Sequence, residues 1–516
     1  ELDRLTRLFE RVAAEHTRHP PSEIALRHAL RHLIASLGVY RTYLRASRRD
    51  SERARHRVEE AVQHARAHLD DQPESLHDEV SAAIRLAGSI LLEEQDGRTG
   101  ADHQQHVTEF LTAWQQLTGP VEAKGVEDTA LYRYIGLTGL NEVGAEPVVP
   151  PDPVARFHAY NQRRVRRWPR SMNATSTHDT KRSEDTRLRL AQLGTEHVDW
   201  AALRGELLED GAEARTELSE GPAPSEADAD LIHQSLVGIW PLHGLPGEDV
   251  RERLIEYARK AAREAKLRTH WHAPNEAYEH MLEVYIQRLL EAYPPSAALE
   301  QLAAVMPRLD STAVHASLVQ VVLKCAAPGV PDFYQGTEFW SHALVDPDNR
   351  RPVDFEARDR ALDRLAGQGA AAPPVLREWL THWRDGLIKM YVTHRMLALR
   401  AAMSDAFHAG AYLPLQVTGP HAERVVAFAR RTERQSVVVA GIRVLPRDGL
   451  TGGAAVDPSV WSQTTLHLPG VLGSPVLPWL VAESAGGGHL PPRLTLDRVF
   501  DPLPVAVYTA GQTNDA

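Results

Sequence analysis

Apolar residues near the start of the chain recur every three or four positions. Leu2, Leu5, Leu8, Phe9 and Val12 therefore share one side of a predicted helix, and charged residues occupy the other. Pro20-Pro21 interrupts the pattern. Ser22 is a good helix cap for a second set, Ile24, Leu30, Leu33, Ile34 and Leu37. Amphipathic segments near 51–69, 76–94 and 102–117 extend this all-helical stretch to about residue 118. Their spacing is irregular, which argues against a repeat array. Further helices are predicted around 152–167, 181–193, 197–208, 225–239, 248–268 and 274–291, with one long helix at about 373–400.

Two short stretches, 172–176 and 330–334, read instead as strands, each running into a polar and aromatic loop. Pro328-Gly329 and Gly336 bracket the second so closely that it suits a parallel strand buried on both faces. The helices between them can supply a right-handed crossover, so the two are expected to be parallel neighbours whose C-terminal ends open on one pocket. From about residue 405 the pattern shifts to β, at Val417, 424–430, 436–442, 464–468 and 505–508, punctuated by Gly452-Gly453 and Gly486-Gly487-Gly488. The expected fold is α/β plus β. It comprises a helical insertion (1–118), the last part of a (β/α)8 barrel with helical insertions (119–400), and a small antiparallel β-sandwich domain (401–516).

Composition narrows the class. The 516 residues, 43% hydrophobic and 25% charged, suffice for several ordinary globular cores and exclude wholesale disorder. A net charge of -11 argues against nucleic acid as the main partner, and the basic run Arg163-Arg164-Val-Arg166-Arg167 reads as a solvated helix face. The single cysteine, Cys325, lies in the apolar string Val321-Val-Leu-Lys-Cys325-Ala-Ala. It reads as a small buried hydrophobe, with no disulfide framework, in a reducing cytoplasm. No signal peptide and no apolar run of about 18 residues is present, so neither export nor membrane insertion is expected. His270 and His272 flank Trp271 without an acidic or cysteine partner at ligand spacing, and no metal or cofactor is expected. The chain begins with Glu1, inside what already reads as a helix, and so is expected to be part of a longer protein.

Thr177-His178-Asp179 stands where the first predicted strand hands over to a loop, the position at which α/β barrels carry their chemistry. The alternative is that Asp179 caps the following helix. Tyr334, Gln335 and Glu338 fall at the exit of the second strand, able to hydrogen-bond hydroxyls. The loop Asp346-Pro-Asp348-Asn349-Arg350-Arg351-Pro352 reads equally as a salt-bridge cluster or as a substrate lining.

These strings carry a resemblance. Residues 328–338 with 346–352 are similar to the last barrel strand and following loop of the α-amylase clan, glycoside hydrolase family thirteen, and Thr177-His178-Asp179 resembles its strand-seven motif. Three further strings resemble the maltooligosyl trehalose synthase family within that clan. They are Gly119-Pro-Val-Glu-Ala-Lys124-Gly125-Val-Glu127-Asp128-Thr129-Ala-Leu-Tyr132-Arg133-Tyr134 followed by Leu140-Asn141-Glu142-Val143-Gly144, then Ser-Thr-His-Asp-Thr-Lys-Arg-Ser-Glu-Asp at 176–185, and Pro274-Asn275-Glu276-Ala277-Tyr278. The likeness covers about residues 1–400.

The resemblance implies an intramolecular transglucosylation in which the reducing-end α-1,4 bond of a maltooligosaccharide becomes an α,α-1,1 bond. It proceeds with retention, through a carboxylate nucleophile and a carboxylic acid/base. Asp179 matches the third acidic position of the clan, which favours the distorted reacting sugar, and His178 matches the histidine beside it. Lys124 is the candidate for gripping the released glucose, with Tyr132, Lys181, Arg182 and Tyr334 as further substrate-binding residues; core packing is an equal reading for Tyr132 and Tyr134. The sequence departs from the clan in lacking both Gly-x-Arg-x-Asp and the strand-five acid motif. The chain alone is therefore expected to be inactive, with the missing N-terminal part of the barrel as its partner. A clan hydrolase and a non-catalytic carbohydrate-binding subunit remain alternatives.

Overall fold

A computed structural model describes residues 1–44, 52–69, 73–92, 100–291, 295–450, 454–472, 476–482 and 491–511. The glycine clusters at 452–453 and 486–488 lie outside the described residues. The chain forms two compact units, Glu1–Arg133 and Tyr134–Ala516.

In the first unit, α1 (Leu2–His16), α2 (Glu23–Ala35), α3 (Glu52–Ala67), α4 (Glu74–Leu91) and α5 (Ala101–Glu122) follow the predicted amphipathic segments. The Ser22 hydroxyl accepts from the Ala25 amide at 3.3 Å, as a cap should. The apolar stripes meet in one core, where Leu5, Phe9, Leu30, Val58, Ile84 and Trp114 are buried and Phe9 stacks on Phe110. Beyond α5 the backbone widens into a π-helical stretch, Ala123–Ala130. Lys124 therefore sits on a helix rather than at the end of a strand or loop.

The second unit is helix-rich with small sheets. Its helices include α6 (Pro153–Arg167), α7 (Glu184–Ala191), α8 (Trp200–Asp210), α9 (Glu226–Ile239), α10 (Glu248–Ala265) and α11 (Glu276–Glu291). The longest, α12 (Ala297–Ala326), has no counterpart in the sequence reading, because Pro307 interrupts its amphipathic first part and the part from Leu309 on has no exposed stripe. The helix predicted at 373–400 is two, α13 (Pro373–Thr381) and α14 (Leu387–Ala402), broken at Gly386 with φ 79°.

β1 (Met172–Asn173) and, after the hairpin β2 (Thr216–Leu218)–β3 (Gly221–Ala223), β4 (Val330–Pro331) confirm the expected parallel pair, in the register Met172↔Val330 and Asn173↔Pro331. Both are shorter than predicted: Pro331 has no amide to continue the ladder, and each strand turns into its loop at once. Gly329 permits the close approach, since a Cβ there would lie 2.5 Å from the Ser171 carbonyl oxygen.

The β-rich end forms a five-stranded antiparallel sheet in the order β10 (Val476–Pro478), β12 (Val505–Gly511), β8 (Gln435–Ile442), β7 (Val425–Arg431), β5 (Ala411–Pro414). A three-stranded sheet joins β11 (Arg493–Thr495), β9 (Thr465–His467) and β6 (Val417–Thr418). Alternation explains why β8 and β12 read as continuous apolar runs. Val437, Val439, Val505 and Val507 pack with α12 and α14, while Val438, Ala440, Ala506 and Tyr508 share a second core with Trp461, Leu466 and Phe500.

Cys325 on α12 is fully buried, and burial pushes its thiol up to about 12. The native protein should accordingly show no labelling by a thiol-specific disulfide reagent at neutral pH, and one equivalent after denaturation; prompt native labelling would contradict this packing. Among the described residues no helix is long and apolar enough to cross a membrane, and no group of three or more His, Cys, Asp or Glu side chains could hold a metal ion.

Candidate active site

Because β1 and β4 are parallel, the loops that follow them leave the same end of the pair. The first loop is shaped by two threonines: the Asp179 amide donates to Thr177 Oγ1 at 3.1 Å, and Thr180 Oγ1 donates to the Thr177 carbonyl at 2.9 Å. His178 and Asp179 form the tip of this turn. Their side chains are 62% and 79% exposed, with 3.7 Å between His178 Nε2 and Asp179 Oδ2. The capping alternative for Asp179 does not hold, because α7 begins at Glu184 behind Ser183, and the Glu184 amide donates to Ser176 Oγ at 2.8 Å.

The next two candidates turn inward. Lys181 and Arg182 are buried, and the Arg182 guanidinium donates to the Tyr257 hydroxyl of α10 at 2.9 Å. Glu142, which sequence reasoning passed over as a candidate residue, grips this segment. It accepts from the Lys181 amide at 2.8 Å and from Arg187 Nη1 at 2.8 Å. Such charge-assisted bonds to a loop backbone fix the tip from behind.

Tyr334 follows β4 and is half-buried; its carbonyl accepts from the Thr337 amide at 3.0 Å and hydroxyl at 2.7 Å. Glu338 pairs with Arg358 at 2.9 Å, which also donates to the Gly336 carbonyl at 2.7 Å. The segment at 346–351 is a salt-bridge cluster: Asp348 holds Arg253 of α10 at 2.7 and 2.9 Å, Arg350 pairs with Asp346 at 2.7 Å, and Arg351 reaches Asp249. From this braced loop Asn349 Nδ2 donates to the His178 carbonyl at 3.0 Å, tying the two loops together.

Lys124 and Tyr132 belong to the first unit. The Lys124 side chain is 74% exposed and pairs with Asp128 at 2.5 Å, whereas Tyr132 is buried. Tyr134, by contrast, is half exposed. His178, Asp179, Lys181, Arg182 and Tyr334 are thus gathered on joined loops of one unit. The exposed pair is available to a ligand, and the buried pair shapes the loop that presents it.

No protein-family model matches the chain. A Mycobacterium tuberculosis protein named as a maltooligosyl trehalose synthase is 38% identical over 355 residues, covering 69% of this chain and 40% of that protein. The maltooligosyltrehalose synthase structure from Arthrobacter ramosus superposes with a TM-score of 0.72 at 30% identity, over 98% of this chain and 56% of that one. A Sulfolobus tokodaii structure titled a hypothetical maltooligosyl trehalose synthase matches in fold, with a TM-score of 0.62 at 24% identity over 99% of this chain and 58% of that one. The chain thus spans less than two thirds of each of these relatives. On the agreement of sequence strings, sequence identity and fold, the chain is similar to, and corresponds to part of, the longer maltooligosyl trehalose synthases.

Proposed function

We propose that this chain forms part of an enzyme that converts the reducing-end α-1,4 bond of maltooligosaccharides into an α,α-1,1 bond. One observation carries the reading beyond the likeness to these relatives: an exposed carboxylate, Asp179, stands beside His178 on a turn braced from two sides at the end of a parallel strand pair. β1 and β4 are then neighbouring strands of a (β/α)8 barrel, and the antiparallel sheets a terminal sandwich domain. In keeping with that, Met172 is 65% exposed along β1, and an apolar groove of about 530 Å³ runs beside it, lined by Val154, Phe157, Leu188, Val319 and Leu323. The remaining barrel strands are the partner proposed for this edge.

In the proposed reaction a carboxylic acid supplied by that partner protonates the glycosidic oxygen. The bond from the anomeric carbon to that oxygen breaks, and a partner carboxylate forms a glycosyl ester. The freed glucose turns over and its anomeric hydroxyl attacks the anomeric carbon held in the ester, returning its proton to the acid/base as the bond from that carbon to the carboxylate breaks and releases the nucleophile. The product is an isomer of the substrate. Asp179 and His178 hold the reacting ring, with Asp179 stabilising its cation-like state; Lys181, Arg182 and Tyr334 shape or line the pocket. With neither the nucleophile nor the acid motif in its sequence, the chain alone should show no turnover.

The test is product analysis with maltopentaose and an enzyme that contains this chain: reducing ends should disappear without release of glucose. Steady glucose release would favour a clan hydrolase, and binding without turnover a carbohydrate-binding subunit. Lys124 refines the test. Its ammonium can hold hydroxyls of the freed glucose in exchange for Asp128, keeping that acceptor at high effective concentration. Lys124→Ala should raise the ratio of free glucose to trehalose-type product roughly tenfold, with bond cleavage largely retained. Lys124→Arg should rescue only in part, because a planar guanidinium presents its donors differently. An unchanged ratio at early conversion would remove Lys124 from the mechanism.

A further inference from the structure

Behind the His178–Asp179 turn lies a buried ionic cluster that the proposed reaction does not use. Lys389, fully buried in the first turn of α14, donates to Glu184 Oε1 at 2.9 Å, to Asp185 Oδ2 at 2.8 Å and to the Phe339 carbonyl at 3.2 Å. Glu184 and Asp185 open α7, directly after the first loop; Phe339 belongs to the second. Asp185 Oδ2 also accepts from the Ser341 amide at 2.7 Å, and Asp185 Oδ1 from Ser317 of α12 at 2.6 Å. A second lysine, Lys324 of α12, reaches Thr175 Oγ1 at 2.9 Å and Glu184 Oε2 at 3.3 Å, with its ammonium 3.9 Å from the Phe333 ring centroid. Two cations and two carboxylates thus cancel in a space closed to water, and every one of them touches a loop or the helix start that anchors it.

The arrangement is built for close approach. Gly386 precedes α14 in a left-handed conformation, and a Cβ on it would lie 2.7 Å from the Phe339 ring. Only a glycine lets α14 start near enough for Lys389 to reach both the carboxylates and the second loop. A buried ion pair adds little net stability over apolar residues of the same volume, whereas it specifies one arrangement of the groups it joins. Around the cluster, Ser183 and Ala343 exchange bonds: the Ser183 amide donates to the Ala343 carbonyl at 2.9 Å, and the Ala343 amide to Ser183 Oγ at 2.9 Å. Of the two lysines, Lys389 donates both to the carboxylates of the helix start and to a carbonyl of the second loop.

We infer that Lys389 is a positioning residue that locks the His178–Asp179 loop to the Tyr334–Glu338 loop, so that the two move as one wall of the sugar site. The inference rests on the proposed role of those loops, yet its first test needs no turnover.

Hydrogen exchange by mass spectrometry on this chain should compare the unaltered protein with Lys389→Met and with the charge-balanced double variant Asp185→Asn, Lys389→Met. The double variant leaves Glu184 paired with Lys324, so it strands no buried charge and serves as the test if the single variant does not fold. In the double variant, exchange at 174–184 and at 337–345 should rise together by about tenfold or more, while α12 and β7–β8 keep their protection. Acceleration of only one loop, of neither, or of α12 and β7–β8 to the same degree would overturn the inference. In an enzyme that contains this chain and turns over maltopentaose, the double variant should lower kcat about hundredfold with KM changed by less than about threefold. An equal loss in KM alone would also overturn it. Absence of turnover in the unaltered enzyme would count against the proposed function only, leaving the exchange result to stand by itself.

Discussion

Replacing Asp179 by Asn in an enzyme that contains this chain should lower turnover of maltopentaose roughly a thousandfold and leave thermal stability almost unchanged. The two halves of this expectation come from one observation. The Asp179 carboxylate is 79% exposed, does not cap α7, and has the His178 imidazole 3.7 Å away, so folding gains little from its charge. A cation-like sugar would gain much, because a carboxylate already fixed beside developing positive charge needs no reorganisation. Asn keeps the size of the side chain and removes the charge. Near-normal turnover in this variant would show that the turn has no part in the chemistry, whereas a large fall in melting temperature would show that its charge serves folding.

The second large effect concerns stability. Glu184→Ala should cost about 3 to 5 kcal/mol in denaturant unfolding of this chain, because it leaves Lys324 and Lys389 buried with only Asp185 to balance them. The pH dependence follows from the same site. Burial pushes the Glu184 carboxyl up, but Lys389, Lys324 and the Thr175 hydroxyl outweigh it and hold the group at about 2, below its ordinary 4.5. A depressed carboxyl contributes stability that is present above pH 4.5 and is lost as pH falls through about 2. The unaltered chain should therefore lose stability over that window, and Glu184→Ala should show a shallower loss there. An equally steep acid limb in the variant would assign acid lability to other groups.

Much of this organisation is legible in the sequence, for reasons that also mark where legibility stops. Stripes spaced by three and four residues, such as Leu5, Phe9 and Val12, identify helices that bury one side, and Pro328-Gly329 marks a strand that needs close backbone approach. The helix α12 escapes because Pro307 breaks its amphipathic first part and burial from Leu309 on removes the period the rest would otherwise display. Gly386, ahead of the apolar Leu387-Ile388, is compatible with a tolerated helical glycine, and only the Phe339 ring against it makes the break necessary.

The site divides along the same line. His178 and Asp179 are visible because a strand-to-loop motif is local. Glu142, Asn349 and Lys389 act on that motif from far along the chain, so nothing in their immediate neighbours reveals them. One signal was available. Lys324 stands alone in Val321-Val-Leu-Lys-Cys325 and Lys389 alone in Leu387-Ile-Lys-Met-Tyr391, and a single charge inside an apolar run must find a buried partner.

The proposed synthase reaction and its hydrolase alternative differ in one reagent, water. Maltopentaose turned over in water enriched in heavy oxygen, by an enzyme that contains this chain, tests the account most directly when the products are weighed by mass spectrometry. The account predicts a non-reducing product of the same mass as the substrate, with no heavy oxygen taken up, because the freed glucose is the acceptor. Free glucose accompanied by a shortened oligosaccharide carrying heavy oxygen at its anomeric carbon, as the main products, would contradict it.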